Sequence, residues 1–289
     1  MSATIRVAAA PISWGVCEVP GWGRMLDAPT VLGEMAELGV TATELGPPGY
    51  LPRDPAELKT LLGSHGLRLI GGFLAVVLHE NPEAALAEAE DSAALFAACG
   101  AEVLVLAAAT GLEGYDQRPA LSDAEWSTLI STAAKIRDVA AAHGLKTVLH
   151  PHVGTHAETQ SEVERFLADS DLPLCLDTGH LLIGGTDPAA LVDEAADRIV
   201  HVHLKDVDAG LATSVALGWR SYTDAVRDGM YRPLGQGDVD VARIVRGLTE
   251  HGYQGWYVLE QDTILSGEPD GPGPLADVEA SVTFLRSLA

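Results

Sequence analysis

Basic residues are scarce in this chain. Its 289 residues carry 18 Lys and Arg against 41 Asp and Glu, a formal charge of −23 with histidine neutral. Phosphate backbones bind through Lys and Arg, so this balance excludes a nucleic-acid partner and equally disfavours an anionic membrane surface. Long apolar runs are missing too. The best of them, Leu69–Leu78, falls short of the roughly 18 residues that a membrane span needs. At the N-terminus, Arg6 precedes only a short apolar stretch, which reads as a strand rather than a signal peptide. Cysteine is rare: Cys17, Cys99 and Cys175 form no C-x-x-C pair and are odd in number. That excludes a zinc ribbon or a disulfide framework and suits a reducing, cytoplasmic setting. What the chain does have is apolar mass, 47% hydrophobic residues, enough for a large buried core. Its length would suggest two domains at roughly 150 residues each, but α/β barrels reach about 250 residues as one.

Strand-like and helix-like segments alternate from end to end. The predicted strands are Ile5–Ala10, Thr41–Leu45, Arg68–Phe73, Val103–Ala107, Lys146–His150, Leu174–Asp177, Ile199–Leu204 and Trp256–Glu260. They are short and apolar on both faces, as parallel strands buried on both sides are. Predicted helices fill the gaps: Thr30–Leu38, Asp54–His65, Pro82–Cys99, Asp123–His143, Ser161–Ser170, Pro188–Ala195 and Val239–His251, with Asp277–Leu288 closing the chain. Asp54-Pro55 and Asp187-Pro188 are cap-plus-first-turn pairs. One junction recurs, a helix end followed by Gly and then a strand, at Gly39, Gly66, Gly100, Gly144 and Gly252. Glycine there suits a left-handed helix terminus, and His65, His143 and His251 just before it favour the negative helix end. Eight strands with intervening helices and no linker point to a single (β/α)8 barrel over residues 1–289. A doubly wound sheet is weaker, because no Gly-rich dinucleotide fingerprint follows the first strand.

Barrel chemistry sits at the C-terminal strand ends, and those ends are unusual here. Six of the ten histidines lie between positions 150 and 203. Strand five ends in His150-Pro151-His152, with His156 beyond. Strand six ends in Asp177-Thr178-Gly179-His180. Strand seven reads His201-Val202-His203-Leu204-Lys205-Asp206, and strand eight runs into Glu260-Gln261-Asp262. Residues i and i+2 of a strand share a face, so His150 with His152, and His201 with His203, can face one way together. Singly, each has an ordinary explanation: a strand-end Asp caps a helix, a strand His is a satisfied core residue, Glu260 pairs with an Arg. Four consecutive strands ending in metal-competent side chains, two of them carboxylates, point jointly to one divalent metal. Mixed nitrogen and oxygen ligands suit Mn²⁺, Co²⁺, Fe²⁺ or Zn²⁺ better than Ca²⁺.

With these residues in place the sequence resembles the xylose-isomerase-like barrels, often termed sugar phosphate isomerase/epimerase, and within them the inosose dehydratase branch. The segments that carry the resemblance span nearly the whole chain: Ala10–Gly15, Thr43–Gly46, the strand-five His-x-His-Val-Gly-Thr, Asp177–His180, His201–Asp206 and Gly252–Trp256. The resemblance implies Asp177, His203 and Glu260 as metal ligands. At strand five this sequence has His150 where the superfamily usually has Glu, a departure typical of the dehydratase branch. That leaves the fourth ligand among His150, His152 and Glu158. The resemblance also implies Mn²⁺ or Co²⁺ as the first expectation, with Zn²⁺, Fe²⁺ and Mg²⁺ compatible. It maps His152, His180 and Lys205 onto positions beside the metal and substrate.

The implied chemistry is loss of water from a keto-polyol through an enolate; isomerisation or epimerisation begins with the same proton abstraction and is the alternative. A neutral His152 or His180 would serve as base, with Lys205 steadying the enolate oxygen or acting as acid. Glu44 and Gln261 are candidates for substrate contacts, and Trp14 for a wall against the sugar face, with a salt bridge and core packing as the ordinary alternatives for Glu44 and Trp14. The stretch 205–237, with Trp219, Tyr222, Met230 and Tyr231, is long for a βα loop and reads equally as a lid or as a homo-oligomer interface. Ser266–Pro274 reads as a mobile surface loop or an oligomer contact. A phosphodiesterase of the endonuclease IV type shares the barrel but needs a basic groove, and a non-catalytic binding protein would lack the full metal set or the base.

Overall fold

The structure is a computed structural model that describes residues 5–269 and 271–289. Residues 1–4 lie outside the described part, as does Asp270 of the predicted Ser266–Pro274 loop. Among the described residues ten strands form: β1 (Arg6–Ala9), β2 (Ala42–Glu44), β3 (Arg68–Val76), β4 (Val103–Ala108), β5 (Lys146–Leu149), β6 (Leu174–Asp177), β7 (Ile199–Leu204), β8 (Asp206–Val207), β9 (Tyr231–Arg232) and β10 (Trp256–Leu259). Eight close into a parallel barrel in the order β1-β10-β7-β6-β5-β4-β3-β2. The fold is therefore a single TIM barrel. All eight predicted strands are barrel strands; β3 alone extends well past its predicted end, carried by Leu74-Ala75-Val76.

The helices are α1 (Ala28–Glu37), α2 (Pro55–Ser64), α3 (Pro82–Ala98), α4 (Asp123–Ala142), α5 (Gln160–Asp169), α6 (Thr178–Ile183), α7 (Pro188–Ala195), α8 (Ala209–Ala216), α9 (Tyr222–Arg227), α10 (Val241–Glu250) and α11 (Pro274–Arg286). The Asp54 carboxylate accepts from the first-turn amides of α2, and Asp187 does the same for α7, each beside a first-turn Pro. The recurring junction glycines all adopt positive φ, between 69° and 80°, so the left-handed turn expected of them ends each helix. His251 Nδ1 lies 2.8 Å from the Gly247 carbonyl, serving the helix end it follows.

Strand parity decides what enters the barrel. Ala8, Ala42, Trp256 and Val258 form one small cluster and Val103, Val105, Val148 and Cys175 another, while Ala9, Tyr257, Leu259, Leu149, Leu176, Val202 and Leu204 belong to the large layer packed with the helices. Counting on by twos from the inner set reaches Glu44 on β2, His150 and His152 after β5, Asp177 on β6, and Glu260 and Asp262 after β10. His201 and His203 on β7, and Lys205 just after it, share this inward parity. The stretch 205–237 is structured. The short pair β8–β9 runs antiparallel, and α8 and α9 lie between its strands.

Candidate active site

Inside the barrel, Glu44 Oε1 lies 2.7 Å from His201 Nε2 and 3.0 Å from His203 Nε2. On the other side of its ring, His203 Nδ1 lies 3.1 Å from Glu260 Oε2 and 3.8 Å from Asp177 Oδ2. His150 Nε2 is 3.1 Å from the same Asp177 oxygen. Asp177, His203 and Glu260 place one ligand atom each within a single small volume, and His150 joins Asp177 and His180 in an adjoining one. All are buried. Asp177 divides its two oxygens. Oδ1 accepts from Gly179 N–H at 3.0 Å and His180 N–H at 2.8 Å, capping α6, while Oδ2 faces the imidazoles. The ordinary explanation and the metal explanation of this residue are both satisfied, one per oxygen.

The donor set fits a divalent cation. With Nε2 of His203 donating to Glu44, the neutral ring keeps its lone pair on Nδ1, and Nδ1 has no hydrogen-bond partner although it points at two carboxylates. A lone pair and two carboxylates converging in a dry interior are mutually repulsive unless a positive charge joins them. Burial opposes charge on His203, but Cys175, Glu260 and Glu44 outweigh it and raise its pKa well above the usual imidazole value, so with no ion bound a proton on Nδ1 takes the place of that positive charge and a metal would have to displace it. Burial likewise opposes charge on Lys205, and Asp262, Glu260 and Asp177 raise its pKa well above normal.

Beside this cluster, His152 and His180 stack with ring centroids 3.7 Å apart. His152 Nδ1 lies 2.6 Å from the Val153 carbonyl, so Nδ1 carries the proton and Nε2 the lone pair. His180 Nδ1 accepts from Val153 N–H at 3.4 Å, leaving Nε2 as the protonated atom, 4.0 Å from Asp262 Oδ2. Burial, then His150 and Lys205, lowers the His152 pKa to about 4. Burial, then His152 and Lys205, drives that of His180 well below normal. Gly179 lets the turn approach: a Cβ there would sit 2.7 Å from the Lys205 Cβ.

A cavity of about 260 Å³ opens on these groups. Glu44, His150, His152, Lys205, Glu260 and Asp262 form its polar side, and Ile12, Trp22, Pro47, Phe73 and Tyr115 belong to its lining as well. The Tyr115 hydroxyl bonds to Glu18, joining the loop after β4 to the loop after β1. Lys205 is the one Lys or Arg in this lining. From the structured 205–237 stretch, Tyr222 and Tyr231 are buried, with their hydroxyls 2.9 Å apart, whereas Trp219 is 77% exposed.

Two expected substrate contacts are corrected. Trp14 is fully buried, closes a 3-10 turn over Pro11–Trp14, and donates its Nε1 to Glu34 at 2.6 Å, so it packs in the core and does not wall the cavity. The turn presents Ile12 to the cavity instead, and Trp22, Phe73 and Tyr115 supply the aromatic surface. Gln261 points away, its Nε2 donating to Asp277 at 2.8 Å. Parity explains it: Glu260 and Asp262 face inward, so the residue between them faces out. Glu44 does line the cavity, but one of its oxygens is taken by two imidazoles. Among the strand-five alternatives, Glu158 is held by Arg118 and Gly154 N–H, away from the cluster, and His152 has committed Nδ1 to the backbone. Asp262 is a further inward residue, and its parity with Glu260 is the sequence signal for it; nothing in the sequence marks Tyr115 or Trp22.

Residues 32–288 match the family described as xylose isomerase-like TIM barrel. The chain belongs to that family. It is 32% identical to an inosose dehydratase of Salmonella typhimurium, over 90% of this chain and 89% of that protein. It is 34% identical to a rhizopine catabolism protein, MocC, of Rhizobium meliloti, over 99% of this chain and 89% of that one. Among solved structures, an L-ribulose 3-epimerase superposes with a TM-score of 0.71 at 17% identity, covering 99% of this chain and 94% of that one, which shows the shared barrel. The chain is thus an inosose dehydratase-like, sugar-processing enzyme. Among the described residues no helix is long and apolar enough to cross a membrane.

Proposed function

We propose that this enzyme removes water from a cyclic, uncharged keto-polyol of the inosose type with the help of one divalent metal, Mn²⁺ or Co²⁺ before Zn²⁺, Fe²⁺ or Mg²⁺. The observation that carries the reading is the placement of His152: a neutral imidazole with a free Nε2 lines the cavity next to a convergent set of carboxylates and imidazoles. His150, Asp177, His203 and Glu260 would hold the ion. Bound there, it would supply Lewis acidity to the substrate's carbonyl or neighbouring hydroxyl oxygen, worth several kcal/mol as enolate charge develops. His152 Nε2 takes the proton from the carbon beside the ketone. His180 backs the stacked ring and is itself oriented by Val153 and Asp262. Lys205, held charged by its carboxylates, steadies the enolate oxygen. The proton on His152 is then available to the hydroxyl that leaves, so one water departs and a C=C bond forms.

Substrate class follows from the lining. With one cationic side chain facing the cavity, and that one already paired, a phosphate or carboxylate on the substrate would find no protein partner and would compete with the reacting oxygen for the metal. The curated relatives named inosose dehydratase support the ring polyol. The test is mass spectrometry of 2-keto-myo-inositol, ketohexoses and dehydroshikimate incubated with enzyme and Mn²⁺ in D₂O. Loss of one water from the inosose, abolished by EDTA, is the expected result. Deuterium uptake without water loss would make the enzyme an isomerase or epimerase, and no change in any compound would overturn the reading.

A further inference from the structure

Lys205 Nζ stands among three carboxylates. It contacts Asp262 Oδ1, lies 2.9 Å from Glu260 Oε2 and 3.7 Å from Asp177 Oδ2. The last two atoms are the same oxygens that face His203 Nδ1. An ion held by Asp177, His203 and Glu260 would therefore share its oxygens with an ammonium, and two cations on one oxygen repel strongly in a buried site. Asp262 is placed to relieve this. It joins none of the groups whose ligand atoms converge. Its Oδ1 takes Lys205, and its Oδ2 accepts the Tyr222 hydroxyl, which lies 2.9 Å from that of Tyr231. Tyr222 comes from α9, in the stretch between β7 and α10. Asp206 ties the ends of that stretch together, its carboxylate accepting the N–H groups of Gly235, Gly237 and Val239 at 2.8–3.0 Å.

Resting on the metal reading above, we propose that Asp262 is a positioning residue: it gives the Lys205 ammonium a carboxylate outside the ligand set, onto which it can move when an ion takes the Asp177 and Glu260 oxygens, and Tyr222 keeps Asp262 turned toward Lys205. The stretch over the barrel mouth thereby acts on the metal site through one carboxylate. Without Asp262, Lys205 competes with the ion; without both residues, the competition is gone.

Mn²⁺ alone is titrated calorimetrically into the wild type, Asp262→Asn, Lys205→Met and the double variant, with thermal unfolding recorded for each. Asp262→Asn is expected to bind Mn²⁺ about tenfold more weakly. Adding Lys205→Met should return affinity to within about threefold of wild type, the non-additivity of a coupled pair. Tyr222→Phe, which changes one hydroxyl, should weaken binding in the same direction by less, and it keeps the proposal testable if Asp262→Asn folds poorly. Unchanged affinity in Asp262→Asn and Tyr222→Phe, or a loss that Lys205→Met does not rescue, overturns this proposal and leaves the metal reading standing. A wild type that does not bind Mn²⁺ overturns both.

Discussion

Glu44, the last residue of β2, meets His203 of β7 inside the barrel, its Oε1 lying 3.0 Å from Nε2. That contact fixes which nitrogen of His203 can face Asp177 and Glu260. Burial works against ionised Glu44, but His203 and His201 outweigh it and hold its pKa below the ordinary carboxylate value. Glu44→Gln keeps the shape and weakens the acceptor, so Mn²⁺ affinity measured calorimetrically should fall about 10–100-fold. A value unchanged from wild type would show that Glu44 does not orient the imidazole.

Asp177 offers a way to separate its two roles. Asp177→Asn retains an oxygen for the amides of Gly179 and His180 and removes the negative charge that faces His150 and His203. It should fold and lose metal-dependent activity. Asp177→Ala should also lose the helix cap, costing ~1 kcal/mol in denaturant unfolding. If the two variants unfold alike, the capping oxygen contributes nothing.

The stacked imidazoles are unequal. His152 lines the cavity with a free Nε2, whereas His180 is not part of that lining. His152→Gln should lower kcat by roughly 10²–10⁴ with little change in KM, and His180→Gln by less. Steady-state kinetics on the same substrate decides, and a larger loss from His180→Gln would exchange the assignments.

Acid sensitivity should arise away from the site as well. His156 packs edge-on against His79, ring centroids 4.5 Å apart, and its Nε2 is buried without a partner. Burial, then His79 and Arg118, lowers its pKa to about 4. The unfolded chain, with an imidazole pKa of about 6.5, binds more protons between these values. Stability contributed by neutral His156 is therefore complete above about pH 6.5 and declines as pH falls toward about 4. Melting temperatures at pH 7.5 and 5 should differ less in His156→Gln than in wild type; equal differences would remove His156 as a cause.

Much of the barrel was legible because its signals are local. Short strands apolar on both faces, glycines after helix ends and Asp-Pro helix starts each follow from the backbone chemistry of a few residues, and the structure contains all of them. The cluster was legible for the same reason. Parity along one strand aims His150 with His152 and His203 with Lys205 to one side, and the barrel brings strand ends together at one mouth. The same rule carried past β10 puts Asp262 inside and Gln261 outside, against the expectation that Gln261 touches substrate. Trp14 was misread because the chain leaves the first strand in a 3-10 turn, which ends strand parity within a few residues.

By itself the sequence determined the barrel, the inward set of imidazoles and carboxylates, and the net acidity. These rest on residue type, spacing and sign of charge, which need no knowledge of distant neighbours. The tertiary structure alone decided which oxygen of Asp177 faces the cluster, which nitrogen of His152 is free, that Glu44 bonds to His203, and that Tyr222 reaches Asp262 from the middle of a long crossover. Each of these is a contact between groups remote in the chain, and its geometry exists only once the closed barrel has set the distances.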